Sequence, residues 1–310
     1  MARAREQSKF VVVAALVANV CVAAVKVAAA VVTRSSAMLA EAIHSIVDTG
    51  DSGLILLGEA RAKKPATPRH PFGHGKEVYF WSLVVAMLIF GAGCVVAAYQ
   101  GVLRLISPHP LEHVGWSYAV LAASAVFEAT SFVISLKGLG RYRRDRMPRA
   151  SLAHTIREAK DPAIFAVVLE DSAALAGLAI AAGGVALSSA LGTTAPDAIA
   201  SILIAAILAA ISWVLGRECW SLLIGERALP EMVAGICSIA KADPHIANVA
   251  AVKTMHVGPE DLIVAVELRF EPECNSDARL TAVRSIRDAV RARYSEIDEL
   301  LIDADSFAEV

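Results

Sequence analysis

Six long apolar blocks constrain this chain more than any other feature, running approximately over residues 10–33, 37–58, 79–105, 114–137, 162–191 and 197–221. A bilayer core about 30 Å thick needs roughly 20 apolar residues in a helix, and each block reaches that length. Backbone groups in lipid must be satisfied within the chain, and the alternation of a barrel strand is weak here, so the blocks are expected to be helices. They also account for a hydrophobic content of 56%, above the roughly 45–50% of ordinary globular chains. The first block is too long for a cleavable signal peptide and no small-residue cleavage site follows it. It is expected to stay in the membrane as its own insertion signal.

The basic residues alternate between loops. The N-terminal tail carries Arg3, Arg5 and Lys9, and the loop after block two carries Arg61, Lys63, Lys64, Arg69 and Lys76. The loop after block four carries Arg141, Arg143, Arg144, Arg146, Arg149, Arg157 and Lys160, whereas segments 107–114 and 188–197 hold no Lys or Arg. Positive charge marks the cytosolic side, so both termini are expected in the cytosol. The net charge of −2 offers no global field for nucleic acid. Cys21, Cys94, Cys219, Cys237 and Cys274 form no CxxC pair and read as small buried hydrophobes rather than a disulfide frame or thiolate site. An Ala/Val/Arg-rich composition leans towards a high-GC bacterium, which points to an integral protein of a bacterial plasma membrane.

Past Arg217 the chain takes on the mixed charge of a soluble domain. Two domains are expected: 1–225, a six-helix transmembrane bundle, and 226–310, a small cytosolic α+β domain. In the second, the spacing predicts a helix over 230–242, strands over 246–257 and 262–270, a helix over 277–294 and a strand over 299–302. Val264, Val266, Leu268 and Phe270 alternate with Ile263, Ala265, Glu267 and Arg269, giving one apolar face. The order fits a small sheet covered by two helices. At roughly 80 residues such a domain sits near the lower size for independent stability, which favours pairing with a second copy.

Block two carries the chemistry. At about 100° per residue, Glu41, His44, Asp48 and Asp51 fall within roughly 80° of arc. Each carboxylate near the bilayer centre costs about 2.5–3.5 kcal/mol, more than the apolar residues of the helix return. The stripe must therefore face other helices, water or a cation. Lys26 in block one is the one interior basic residue, a single cation against several acids. His44 and Asp48 at i, i+4 can ligate one ion from one helix face, and imidazole with carboxylate suits zinc, with manganese, iron or cobalt as alternatives. Block five adds Glu170 and Asp171, which point about 100° apart, so one of them is expected to face the same site. Glu128 in block four is a lone intramembrane acid, suited to a proton path or to a hydrogen bond with a neighbouring helix. Asp197 opens block six, where an acid complements the helix N-terminus. His70 and His74 lie four apart in a loop, a spacing compatible with a second metal site or with ordinary turn residues. His109 and His113, in the loop after block three, read as solvated.

The ordered set resembles the cation diffusion facilitator family across nearly the whole chain. It comprises His44-xxx-Asp48, the segment His70-Pro-Phe-Gly-His74-Gly-Lys76, Asp171, Asp197-Ala-Ile-Ala-Ser, and Arg227-Ala-Leu-Pro230 leading into the C-terminal domain. The resemblance implies a tetrahedral transport site between helices two and five, export of zinc (or manganese or iron) by proton antiport, a homodimer in the lipid bilayer, and a ferredoxin-like cytosolic domain. It implies no enzyme activity and no bound cofactor beyond the transported metal. It also implies a charge interlock involving Lys76 and Glu226. Two departures stand out. Val167 occupies the position four before Asp171 where the family commonly has a ligand, so Glu170 or Glu41 would complete the site. The positions aligned with the family's regulatory metal site are Ala251, Val266 and Asp303, with Asp305 retained, and that site is expected to be weak or missing. The alternative from another class is a membrane-embedded metal sensor or metalloenzyme using the same ligands, although no HExxH or GxSxG frame supports it.

Overall fold

The computed structural model describes residues 19–109, 113–146, 151, 162–259 and 261–303. Arg3, Arg5, Lys9, the start of block one, Arg149, Arg157, Lys160 and Asp305 lie outside the described residues. The chain falls into two compact units. One holds the described residues up to Gly58 together with Phe80–Cys219, and the other holds Glu59–Tyr79 together with the described residues from Trp220 onward.

The first unit is helical. Its helices are α1 (Asn19–Thr33), α2 (Ser36–Ala62), α3 (Glu77–Ile106), α4 (Val114–Arg146), α5 (Pro162–Leu191) and α6 (Ala195–Ile224), the last turns of α2 and α6 and the start of α3 belonging to the second unit. Among the described residues, α3, α4, α5 and α6 are long and apolar enough to cross a membrane. The acidic stripe on α2 keeps that helix outside a purely apolar standard. Large apolar side chains such as Met87, Phe90, Ile106, Val126, Ile134, Leu187 and Trp213 lie exposed on these helices. Runs of this kind on a helix exterior suit hydrocarbon rather than water. Small residues let the helices approach closely. A Cβ at Gly101 would meet Ile202 Cγ1 at 2.7 Å and the Ala198 carbonyl at 2.9 Å. Ser201 and Ser212 on α6 donate to the Ala97 and Ala86 carbonyls of α3, at 2.9 and 2.6 Å. Between those two carbonyls α3 opens into a π-helical turn over Ile89–Cys94, a departure that hydropathy does not encode. Block four, expected over 114–137, is helical through to Arg146, because hydropathy marks the lipid-facing length and the charged turns beyond it continue the helix.

Asp197 ties one end of this unit together. It is fully buried. Its carboxylate accepts hydrogen bonds from Ser35 Oγ, from Ser36 N at 2.7 Å and from Ser36 Oγ at 2.8 Å. Its own N–H reaches Ser188 Oγ at 2.9 Å, and Ser35 Oγ accepts from Met38 N at 3.0 Å, capping α2. The acid therefore serves the N-terminus of α2 as well as that of the helix it opens.

In the second unit, Gly225 ends α6 at φ 122°, where a Cβ would meet Met255 at 2.7 Å, the left-handed cap position that favours glycine. There follow α7 (Pro230–Lys241), β1 (Ile246–His256), β2 (Leu262–Phe270), α8 (Ser276–Arg293) and β3 (Ile297–Asp303). The sheet order is β1-β2-β3, with β1 and β2 antiparallel and β2 and β3 parallel. The alternation read from the sequence holds. Leu262, Val264, Val266 and Leu268 are buried with Ile236 and Ala240 of α7 and Ile286 and Val290 of α8. Asn275 caps α8 by accepting from Ala278 N at 2.8 Å.

Candidate metal centre

The stripe on α2 faces inward. Glu41, His44 and Asp51 are buried and Asp48 is half-buried. His44 Nδ1 lies 3.4 Å from Asp48 Oδ1 on the next turn, and His44 Nε2 is buried without a hydrogen bond among the described residues. A cavity of about 90 Å³ opens beside them, lined in part by Ser45, Asp48, Glu128, Val167, Glu170 and Asp171. Asp171 reaches it from α5, with Oδ1 accepting from Ser131 Oγ of α4 at 3.0 Å. Among the described residues, His44 Nε2, Asp48 Oδ1, Glu170 Oε1, Asp171 Oδ2 and both carboxylate oxygens of Asp51 are buried without a hydrogen-bond partner. Buried polar atoms are normally satisfied. Buried carboxylate oxygens and an imidazole nitrogen left unsatisfied together suit a ligand that supplies positive charge.

Both Glu170 and Asp171 line the cavity. Glu41 does not. One carboxylate oxygen of Glu41 stands over Gly177 of α5, where a Cβ would collide with it, and the other lies 3.4 Å from Lys26 Nζ. Lys26 is fully buried, and its ammonium also donates to Ser45 Oγ at 2.7 Å and Glu128 Oε1 at 3.3 Å. The Lys26–Glu41–Glu128 triad thus spans α1, α2 and α4. Sequence reasoning located each member and missed the assembly, because periodicity within one helix carries no information about pairing between helices. Among the described residues, no three His, Cys, Asp or Glu side chains converge closely enough to hold an ion in this conformation.

The loop histidines fall in the second unit. The His70 and His74 rings lie 4.6 Å apart between centroids, and His74 Nδ1 is buried without a hydrogen bond among the described residues. Gly75 lets this loop press on the β1–β2 turn, where a Cβ would meet the Val257 carbonyl at 2.5 Å. Lys76 Nζ donates to the Leu223 carbonyl at 3.1 Å, and the Glu226 carbonyl accepts from His256 N at 2.9 Å. Of the positions aligned with a regulatory metal site, Val266 is buried in the core. Its neighbour Glu267 pairs in register with Ala251 and Asp303 and accepts from Lys253 at 2.6 Å.

A family model described as "Cation efflux transmembrane domain" matches residues 12–224. The human protein "Proton-coupled zinc antiporter SLC30A9, mitochondrial" is 31% identical over 248 residues, covering 80% of this chain and 42% of that one. The chain thus spans less than half the length of this relative. "Magnetosome protein MamB" of Paramagnetospirillum magneticum is 27% identical over 284 residues, covering 91% of this chain and 87% of that protein. Among solved structures, the MamM C-terminal domain in a nickel form aligns with a TM-score of 0.23 and 17% identity, over 24% of this chain and 94% of that one.

Proposed function

The chain belongs to the cation diffusion facilitator, or cation efflux, family of transporters, and from that premise we propose that it exports a divalent metal cation, zinc first, from the cytosol in exchange for protons. It is an integral membrane protein, and the proposal takes six spans, α1 to α6, with both termini cytosolic and two copies forming a homodimer. His44 and Asp48 from α2 and Asp171 from α5 hold the cargo, with Glu170 at the rim. Lys76 and Glu226 take part in a charge interlock at the cytosolic face. His70 and His74 offer an outlying metal site.

The observation that carries this reading is the set of buried, unsatisfied groups: Asp48, Glu170 and Asp171 on the cavity wall, and His44 Nε2 one helical turn from Asp48. Metal binding needs neutral imidazole and ionised carboxylates, so protons arriving from the far side displace the ion. Imidazole with carboxylates selects zinc, and a shell richer in carboxylate extends the range to manganese and iron. The human relative's name, a proton-coupled zinc antiporter, agrees in cargo and coupling.

The test is uptake of zinc, manganese and iron, offered separately, into proteoliposomes with an acidic lumen, with orientation assigned by impermeant maleimide labelling of Cys274. Zinc uptake should be lost in Asp48→Ala and should fall when the pH gradient is collapsed. Uptake indifferent to the gradient removes proton coupling. Tight, non-exchanging metal without uptake by folded wild type replaces the transporter reading with a sensor.

A further inference from the structure

Glu128 is an acid that nothing above uses as a ligand, yet it stands on the wall of the cargo cavity with Asp48 and Asp171. One helical turn before Asp171, Val167 lines the same cavity and offers no donor. A zinc-type ion takes four protein donors in a closed site; His44, Asp48 and Asp171 account for three, and the carboxylates of the cavity wall left for the fourth place are Glu170 and Glu128. Glu41 is turned away towards Gly177 and Lys26. Glu128 is held at its Oε1 by the Lys26 ammonium, at 3.3 Å.

An ammonium and a divalent ion cannot share one buried carboxylate without strong repulsion, and neither can leave it uncompensated. We propose that Glu128 is a ligand of the transported cation and that Lys26 is its placeholder. In the empty protein the ammonium occupies Glu128. When metal arrives, Lys26 keeps Ser45 and Glu41, and Glu128 turns to the ion. The inference rests on the cargo site proposed above.

The experiment is a zinc titration of the full chain in lipid nanodiscs, competed against a chromophoric chelator. The variants are Glu128→Gln, Lys26→Gln, their double, Lys26→Arg and Asp48→Ala, each checked for a cooperative melt. Loss of an interaction that supports a bound metal weakens binding about 10–100-fold, and that loss is expected for Glu128→Gln. Lys26→Gln should tighten binding by about the same factor, in the opposite sense. Lys26→Arg should bind as wild type, and in the Glu128→Gln background the Lys26→Gln gain should vanish. Wild-type binding by Glu128→Gln overturns the proposal. So does a Lys26→Gln gain that persists without the Glu128 carboxylate, since that would mark general repulsion rather than competition. Should Lys26→Gln fail to melt cooperatively, Glu128→Gln and Lys26→Arg still decide. Loss of binding in Asp48→Ala with none in Glu128→Gln leaves the cargo site standing and removes this inference. No zinc binding by folded wild type removes both.

Discussion

At the scale of single residues, the buried acids divide into those with partners and those without. Asp197 is satisfied on every side by Ser35, Ser36 and the α2 backbone, whereas Asp48, Asp51, Glu170 and Asp171 each keep a bare oxygen. The first arrangement stabilises the fold, and the second carries the metal site proposed above. Hydrogen bonds to a charged group contribute about 1.5–3 kcal/mol each, and Asp197→Ala removes three, so it should lower stability by about 4 kcal/mol or more. Thermal unfolding in detergent would show it, with Asp197→Asn losing less; an unchanged melt for Asp197→Ala would refute the clasp. The stripe on α2 was legible because a 3.6-residue period places Glu41, His44, Asp48 and Asp51 on one side. The different fate of Glu41 was not legible, since it is decided by Lys26 and Glu128, 15 and 102 residues away in the chain, meeting at one ammonium.

At the scale of elements, the contact between α3 and α6 tests the packing. Gly101 has no room for a methyl group against Ile202 and the Ala198 carbonyl. Gly183 on α5 has nothing within 4 Å. Overpacking costs about 1–3 kcal/mol, so Gly101→Ala should lower the melting temperature where Gly183→Ala leaves it unchanged or raises it. Equal melting temperatures for the two variants would remove the packing argument. Helix positions were readable from hydropathy. Their ends were not, as the run of α4 to Arg146 shows, and neither was the π turn at Ile89–Cys94, which hydropathy does not encode. The strands were the clearest elements, because Leu262, Val264, Val266 and Leu268 alternate without a break and Gly258-Pro259 marks the turn before them.

For the whole molecule, the α-β-β-α-β order was legible, while the grouping of segment 59–79 with the C-terminal elements was not. That grouping follows from contacts such as Gly75 against Val257, between residues distant in sequence. It gives the proposed interlock a place to act. Lys76→Glu and Glu226→Lys should each reduce zinc uptake, and the double reversal should recover most of it, with mass photometry reporting dimers throughout. A double variant as impaired as the singles would discard the interlock. The carboxylate of Asp197 and the hydroxyls of Ser35, Ser36 and Ser188 fasten α2, α5 and α6 at one end. Asp48 lies 12 residues from Ser36, about 18 Å along α2 at 1.5 Å per residue. A pair of rods pinned at one end behaves like tongs: a small rotation at the pin becomes a wide change of aperture at the other. The jaws of this pair carry His44 with Asp48 on one arm and Glu170 with Asp171 on the other, so under the proposed function the grip on an ion and the opening of its exit would belong to a single mechanical degree of freedom.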